Sequence, residues 1–281
     1  MTDEELSSQY HSLRLYYGEY DTYNVNYRIG DVTTVVPLET ERYIDTWMDL
    51  RLIPTERPTV SLPKGNSKII NIPGNRFPID MTNYLTGHTT YSNRTGTWSF
   101  YTDNDFVEEN GGFEVMDKIL KSTFHSHVYK VELRDDPDYF YIGRLSVGQW
   151  NTGAERSTVS ISYNLYPYKK SKTCTLDMWL FDEFNFDDGI IQYVKNMEVN
   201  SERIIDIIGS PERVNPHISA TGTLTLEKYE NSSWVSYGTI PTLDIGNKMS
   251  VIPGFMIENG INRLRIRGNG RVTLDYRRGL L

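Results

Sequence analysis

The alternation of apolar and polar positions is clearest between residues 133 and 170, where it predicts two strands. Residues 139–147 are rich in aromatic and β-branched side chains, as is typical of a strand. From Ser157 to Leu165 the side chains alternate between polar and apolar, which is the period of a half-buried strand. The pattern therefore predicts two strands that are joined by an extended loop from Gly148 to Arg156.

The rest of the chain predicts a mainly β fold with two β-sandwich domains. Residues 112–124 place apolar side chains at helical spacing, with acidic residues before basic ones as suits the helix dipole. One helix among many strands indicates an N-terminal β-sandwich, residues 1–170, with this helix packed on it. Short, regularly spaced strands indicate a second β-sandwich over residues 171–281. Asn269-Gly270 predicts a hairpin turn there, because tight type I′ turns favour Asn followed by Gly.

Composition narrows the classes of function. The chain has 281 residues and a net charge of −8, which argues against specific nucleic-acid binding or attraction to an anionic membrane. Its one cysteine, Cys174, allows no intramolecular disulfide and fits a reducing cytoplasm. No apolar run approaches the roughly 20 residues of a membrane span, so we expect no membrane insertion. Its 20 tyrosines suit sheets and wet interfaces.

Two groups of residues could ligate a metal ion, and each has a simpler explanation. Asp135, Asp136 and Asp138 are carboxylates in a turn, which Ca²⁺ favours, although a solvated turn explains them equally. His125 and His127 have spacing that suits one face of a strand, but a zinc site needs further ligands. We therefore predict no metal site.

The sequence contains no convincing catalytic motif. Glu108-Glu109 and Asp187-Asp188 are acidic pairs, yet a glycosidase needs two carboxyl groups that face each other across a sugar. No nucleophile elbow and no phosphate-binding glycine loop is present in the sequence. We therefore predict a protein that is not an enzyme and needs no cofactor, and we rank a cell-wall hydrolase last among the functions considered.

Three arginines near the C-terminus form a candidate binding patch. Arg263, Arg265 and Arg267 alternate along a predicted strand and therefore share one face of the sheet. A solvated sheet face is the default interpretation. The alternative is a patch for an acidic partner or an anionic cell-wall polymer.

Three aromatic residues in the same half of the chain form a candidate sugar-stacking platform. They are Tyr229, Trp234 and Tyr237. Packing between two sheets is the competing interpretation, above all for Trp234.

Several sequence motifs follow one another in the order of a known protein family. They are Thr46-Trp-Met-Asp-Leu-Arg-Leu-Ile-Pro, Ile70-Asn-Ile-Pro-Gly-Asn, Tyr91-Ser-Asn-Arg, Asp135-Asp-Pro-Asp-Tyr-Phe-Tyr-Ile-Gly-Arg and Pro167-Tyr-Lys. With these motifs the chain resembles the siphovirus distal tail protein family, the baseplate hub proteins at the tip of long non-contractile phage tails. The C-terminal half matches by pattern and not by a motif.

The resemblance implies a structural virion protein at the tail tip that is assembled in the host cytoplasm. Its N-terminal β-sandwich would form a homohexameric ring, and its C-terminal domain would be a peripheral, galectin-like β-sandwich. The ring would join the tail tube protein to the tail-associated hub protein and let the genome pass. Receptor-binding or other baseplate proteins could attach at its periphery for host attachment. The alternative function is a carbohydrate-binding module that recognises the host cell surface.

A ring of head-to-tail contacts needs extended edges and long loops, and two segments suit that requirement. One is the proline-punctuated stretch 53–63, and the other is the loop 148–156. The candidate ring-contact residues in them are Pro54, Pro58, Pro63, Gly148, Trp150 and Arg156.

Overall fold

The computed structural model confirms the predicted mainly β class. It describes residues 11–17, 43–74, 76–84, 87–109, 111–124, 128–153, 156–176, 194–243 and 249–281. Strands dominate this part of the chain, which separates into two compact units. The first comprises described residues between 11 and 169, and the second comprises described residues between 170 and 280.

Seven strands of one antiparallel sheet form the frame of the first unit. The strands of this unit are β1 (Leu13–Tyr17), β2 (Tyr43–Asp45), β3 (Ile53–Pro54), β4 (Ile69–Ile70), β5 (Ile79–Asp80), β6 (Arg94–Asp103), β7 (Val128–Leu133), β8 (Tyr139–Asn151) and β9 (Arg156–Leu165). These seven strands of the sheet follow the order β2-β1-β7-β8-β9-β6-β3. β4 and β5 pair with each other in a separate hairpin.

The predicted alternation in β9 positions the core of this unit. Val159, Ile161, Tyr163 and Leu165 are all buried, whereas the serines between them are only half-buried. The ring of Tyr163 stacks on Trp98 of β6 with 4.4 Å between the ring centroids. The apolar face of β9 therefore fixes which side of the sheet is covered.

Two helices, not the one predicted, are present in the described part of the chain. They are α1 (Asn104–Glu109) and α2 (Gly112–Phe124). α2 has the predicted bounds and buries Met116, Leu120 and Phe124. Gly111 precedes α2 and Gly112 begins it, at φ of 96° and 84°, a conformation that residues with a Cβ rarely adopt. Neither helix is long and apolar enough to cross a membrane.

The prediction of an extended loop from Gly148 to Arg156 is wrong. β8 continues to Asn151, so Gly148 and Trp150 lie in the strand. The pairing of β8 with β9 shifts between Val147 and Trp150, which marks a bulge. A side chain at Gly148 would collide with the Ser160 hydroxyl, so glycine lets the two strands continue side by side.

Long antiparallel strands form the second unit. After β10 (Lys169–Ser171), which begins at the last residue of the first unit's main segment, come β11 (Val194–Gly209), β12 (His217–Glu230), β13 (Ser233–Thr239), β14 (Ser250–Val251), β15 (Gly260–Asp275) and β16 (Gly279–Leu280). Its main sheet has the order β11-β15-β12-β13, and β14 pairs with one end of β12. One face of this sheet buries a separate apolar core.

The hairpin predicted at Asn269-Gly270 is also wrong, because β15 runs through both residues. Gly270 lies directly opposite Gly222 of β12. A Cβ on Gly270 would collide with the carbonyl oxygen of Thr221. The glycine therefore serves a close approach of two strands and not a turn.

Candidate functional site

The segment 61–84, called the arm and described at residues 61–74 and 76–84, follows the edge strand β3 along the chain of the first unit. At its centre is the β4–β5 hairpin, in which Ile70 lies opposite Ile79. The Lys68 N–H donates to the Thr82 hydroxyl oxygen at 3.0 Å and closes the hairpin. The arm thus has defined strand pairing, but only two strands.

Large apolar side chains of the arm are exposed. They are Leu62, Ile69, Ile70, Ile72, Phe77, Ile79 and Tyr84. Phe77 is 70% exposed and Tyr84 is 74% exposed. An isolated two-stranded hairpin is at best marginally stable in water, and exposed apolar patches of this kind mark interaction sites. The arm therefore has the character of a surface that is covered by a partner.

The root of the arm is fastened to β6 by side chains. Trp98 Nε1–H donates to the Thr59 carbonyl oxygen at 2.8 Å, and the Ser61 N–H donates to the Tyr163 hydroxyl oxygen at 3.2 Å. Arg94, 2% exposed, donates from Nη1 to the Ser61 carbonyl oxygen at 3.0 Å and from Nε to that of Pro167 at 2.7 Å. The arm is held at its base and exposed beyond it.

None of the three prolines predicted as ring contacts is fully exposed. Pro58 is buried within the unit, and Pro54 and Pro63 are half-buried. The exposed apolar residues of the arm were not predicted from the sequence. The apolar residues of this segment follow neither the period of a helix nor that of a strand, and proline, glycine and lysine lie between them. That irregular apolar pattern could have indicated an exposed segment.

The residues predicted from the 148–156 segment are largely built into the first unit. Trp150 Nε1–H donates to the Asp117 carboxylate of α2 at 3.2 Å, and its ring meets Phe113 edge-on at 5.8 Å. The Arg156 guanidinium lies over the ring of Tyr101 at 5.1 Å. Gly148 is exposed. The structure therefore does not bring this set together with the prolines into one surface.

Two of the three aspartates considered for Ca²⁺, Asp135 and Asp136, form ion pairs. Asp135 accepts from Arg57 Nε at 2.7 Å and lies 2.9 Å from His11 Nδ1, and Asp136 accepts from Lys169 Nζ at 2.8 Å. Partial burial alone would raise the pKa of Asp135, but the hydrogen bonds and charges of Arg57 and His11 outweigh it and lower that pKa. Asp135 and Asp136 therefore pair with basic side chains of the protein.

No group of three or more His, Cys, Asp and Glu within the described ranges is placed to hold a metal ion. His125, His127 and the Asp187-Asp188 pair lie outside those ranges. Glu108 and Glu109 end the short helix α1 and are exposed.

The second unit presents a paired-charge face, the outward side of the sheet β11-β15-β12-β13. The predicted arginines do share this face, and each is paired with a carboxylate. Arg263 donates to both oxygens of Asp206 at 2.8 and 2.9 Å. Arg267 donates to Glu202 at 2.8 Å, and Arg265 donates to Glu227. The face is therefore balanced in charge at its centre.

Two of the three predicted aromatic residues meet on the paired-charge face. The Arg265 guanidinium lies 4.2 Å from the centroid of the Trp234 ring, and Tyr229 meets Trp234 edge-on at 5.2 Å. Tyr237 points the other way, against Phe255, with 5.3 Å between centroids. Packing of Trp234 between sheets is therefore wrong, because a cation–π contact holds it on the outward face.

Tyr237 is part of a buried polar cluster. Its hydroxyl donates to Glu230 at 2.9 Å, and Lys228 Nζ lies 3.0 Å from the same carboxylate. Burial, and then the hydrogen bond to Glu230, raises the pKa of Tyr237 to about 12. Tyr237 is therefore a packing residue that stays protonated at neutral pH.

The carboxylates that pair with the three arginines were not predicted from the sequence. They are Glu202, Asp206 and Glu227. Glu202 and Asp206 recur at even positions of β11, which places them on one face of a strand. That alternation was a usable signal, but the neighbour of β11 in the sheet could not be known.

Comparison with known proteins finds a solved structure to which the chain is similar. No family model matches the chain, and no curated protein matches it. Among solved structures, the chain is similar to "SPP1 Dit (gp 19.1) Protein, a Paradigm of Hub Adsorption Apparatus in Gram-positive Infecting Phages". The two chains are 12% identical with a TM-score of 0.48, over 82% of this chain and 94% of the other.

Proposed function

We propose that the chain is a structural tail-tip protein of a siphovirus that forms a hexameric hub ring. Residues 1–170 would be the ring-forming domain, and residues 171–281 would be a peripheral, galectin-like domain. The ring would join the tail tube protein to the tail-associated hub protein, and its lumen would pass the genome. The protein would be assembled in the host cytoplasm, have no catalytic activity and offer its periphery to receptor-binding proteins.

The exposed apolar arm is the observation that carries this proposal. Its side chains alternate in direction, so Ile69 and Ile70 present apolar surface on both faces of the hairpin. A contact between the arm of one copy and a different surface of the next copy is heterologous, and repetition of such a contact closes a ring or forms a filament. The family motifs in residues 46–170 favour the closed ring.

The mass of the purified protein in solution tests self-assembly. We expect light scattering after gel filtration to show a hexamer whose population falls on dilution. The double variant Ile69→Ser, Ile79→Ser removes apolar area from the arm and should weaken association by at least about tenfold, since each fully buried side chain of this type contributes about 1.5–3 kcal/mol.

The matched control for that experiment is Ile204→Ser, Ile261→Ser, which removes two exposed isoleucines from the second unit. This control should leave the hexamer unchanged. A wild-type protein that remains monomeric at every concentration would contradict the proposed ring. Equal weakening by both double variants would contradict the role of the arm.

A second candidate function is carbohydrate binding, and the paired-charge face supports it. Trp234 and Tyr229 are aromatic surfaces beside planar, hydrogen-bonding groups of Arg265 and Glu227. Sugar rings stack on such aromatic surfaces while their hydroxyls bond to the polar groups. Because the arginines are paired with carboxylates, the face suits a neutral glycan better than the anionic polymer considered from the sequence.

A glycan array that contains neutral and anionic saccharides tests this second function. We expect neutral saccharides to bind, and we expect Trp234→Ala to weaken that binding about tenfold, as the loss of an aromatic anchor does. Ile261→Ala, another exposed residue of the same sheet, is the control and should change nothing. Binding only to anionic saccharides, or unchanged binding by Trp234→Ala, would contradict the assignment.

A further inference from the structure

We infer that the arm of one copy docks on the helix pair α1–α2 of the next copy. The inference rests on the proposed self-assembly and names the surface that receives the arm. Three properties of the first unit support it. They are the position of its other exposed apolar side chains, the opposite charge of the arm and the helix pair, and the similar spacing of the apolar pairs on these two surfaces.

The first property is the scarcity of exposed apolar surface outside the arm. Beyond residues 61–84, the large exposed apolar side chains among the described residues of the first unit are Tyr43, Val115 and Ile119. Val115 and Ile119 are four residues apart in α2 and therefore lie on the same side of the helix. These two residues form the largest exposed apolar stripe of the first unit outside the arm. If the isoleucines of one arm are buried against the first unit of another copy, this stripe is the surface that can cover them.

The second property is opposite charge. The arm is basic, with one acidic residue, Asp80, against three basic ones: Lys64, Lys68 and Arg76. The helix pair is acidic overall, with five carboxylates against two lysines, Lys118 and Lys121. Asp105, Glu108, Glu109 and Glu114 are exposed, and Asp117 pairs with Lys121 at 2.6 Å. The arm of one copy and the helix pair of another therefore attract each other, whereas two arms, or two helix pairs, repel each other.

The third property is spacing. Ile70 and Ile79 face each other across the hairpin, and side chains in such pairs are about 4.5–5.5 Å apart at Cβ. Val115 and Ile119 are one helical turn apart, which places their Cβ atoms about 5–6 Å apart. Each surface thus presents an apolar pair of similar size beside charges of opposite sign. Since they are different surfaces of one chain, the contact runs head to tail.

Two charge-reversed proteins test the inference. The acidic-arm variant carries Lys64→Glu, Lys68→Glu and Arg76→Glu. The basic-helix variant carries Glu108→Lys, Glu109→Lys and Glu114→Lys. All six side chains are exposed, so both variants should fold, which circular dichroism and thermal melting would verify.

Each variant alone should assemble at least about a hundredfold more weakly than the wild type, because its arm and its helix pair have the same sign. An equimolar mixture of the two should restore assembly. In the mixture every acidic arm meets basic helices and every basic arm meets acidic helices, so an alternating ring contains only attractive contacts. Light scattering of each protein alone and of the mixture measures this recovery.

Charge reversal elsewhere provides the control. Lys195→Glu and Glu198→Lys, both exposed in the second unit, should leave assembly at the wild-type level. Assembly of both reversed variants at the wild-type level would overturn the inference while the proposed ring stands. If the mixture does not recover assembly, the inference is also overturned, and the arm would have to bind a surface other than the helix pair. A monomeric wild type would refute the proposed ring itself.

Discussion

Replacing Arg94 by methionine is expected to lower the free energy of unfolding by about 3 kcal/mol. Methionine keeps much of the aliphatic volume but removes the hydrogen bonds to the carbonyl oxygens of Ser61 and Pro167. Hydrogen bonds from a charged donor contribute about 1.5–3 kcal/mol each, and the desolvation cost of the guanidinium offsets part of that gain. The stack of the guanidinium on Tyr141, at 5.5 Å, is lost as well.

The loss of Arg94 should also loosen the root of the arm, because Ser61 begins it. We therefore expect faster proteolysis between residues 55 and 66 and weaker self-assembly in the same variant. Urea denaturation followed by fluorescence gives the free energy of unfolding. Arg144→Met is the control, since Arg144 is exposed in β8. If both variants lost the same stability, the assigned role of Arg94 would be refuted.

The elements that could be predicted from the sequence are those whose pattern is local and complete. β9 alternates without a break, so its buried face was predicted residue by residue. α2 has apolar residues at helical spacing and a charge order that suits its dipole, and its bounds were correct. In both elements the side chains of a short segment decide the structure before any distant partner is considered.

Elements that depend on a distant strand were predicted poorly. Asn269-Gly270 has the composition of a turn, but Gly222 lies opposite in β12 and the pair lets two backbones approach closely. Gly148 looked like the start of a loop and is instead the point where β8 bulges against Ser160. A glycine permits a turn and a close approach equally, and only the neighbouring strand decides between them.

The candidate sites follow the same rule. That Arg263, Arg265 and Arg267 share a face was predictable, because strand alternation is local. Their partners were not, since Asp206 lies 57 residues and Glu202 lies 65 residues away along the chain. The arm was missed for the opposite reason: its apolar residues contact little within the chain, so they follow no period that packing would impose.

Gly143→Ala is expected to lower the free energy of unfolding by about 3 kcal/mol or more. Gly143 pairs with Leu165 across β8 and β9. A Cβ at this position would lie 2.5 Å from the Leu165 Cα and even closer to the Asn164 carbonyl oxygen. These are backbone atoms in the middle of the sheet, so the two strands must separate to admit a methyl group. Thermal melting and urea denaturation measure the loss.

Gly65→Ala is the matched control for Gly143→Ala. A Cβ there would meet only Thr89 Cγ2 at 3.6 Å and Tyr91 Cε1 at 3.9 Å, which are ordinary contacts. Since alanine also restricts the unfolded chain, this variant should be neutral or slightly stabilising. Equal stability of the two alanine variants would contradict the prediction, because it would mean that β8 and β9 can move apart at Gly143 at little cost in free energy. A large loss confined to Gly143 explains the glycine in the Tyr-Ile-Gly-Arg motif as a requirement of strand packing.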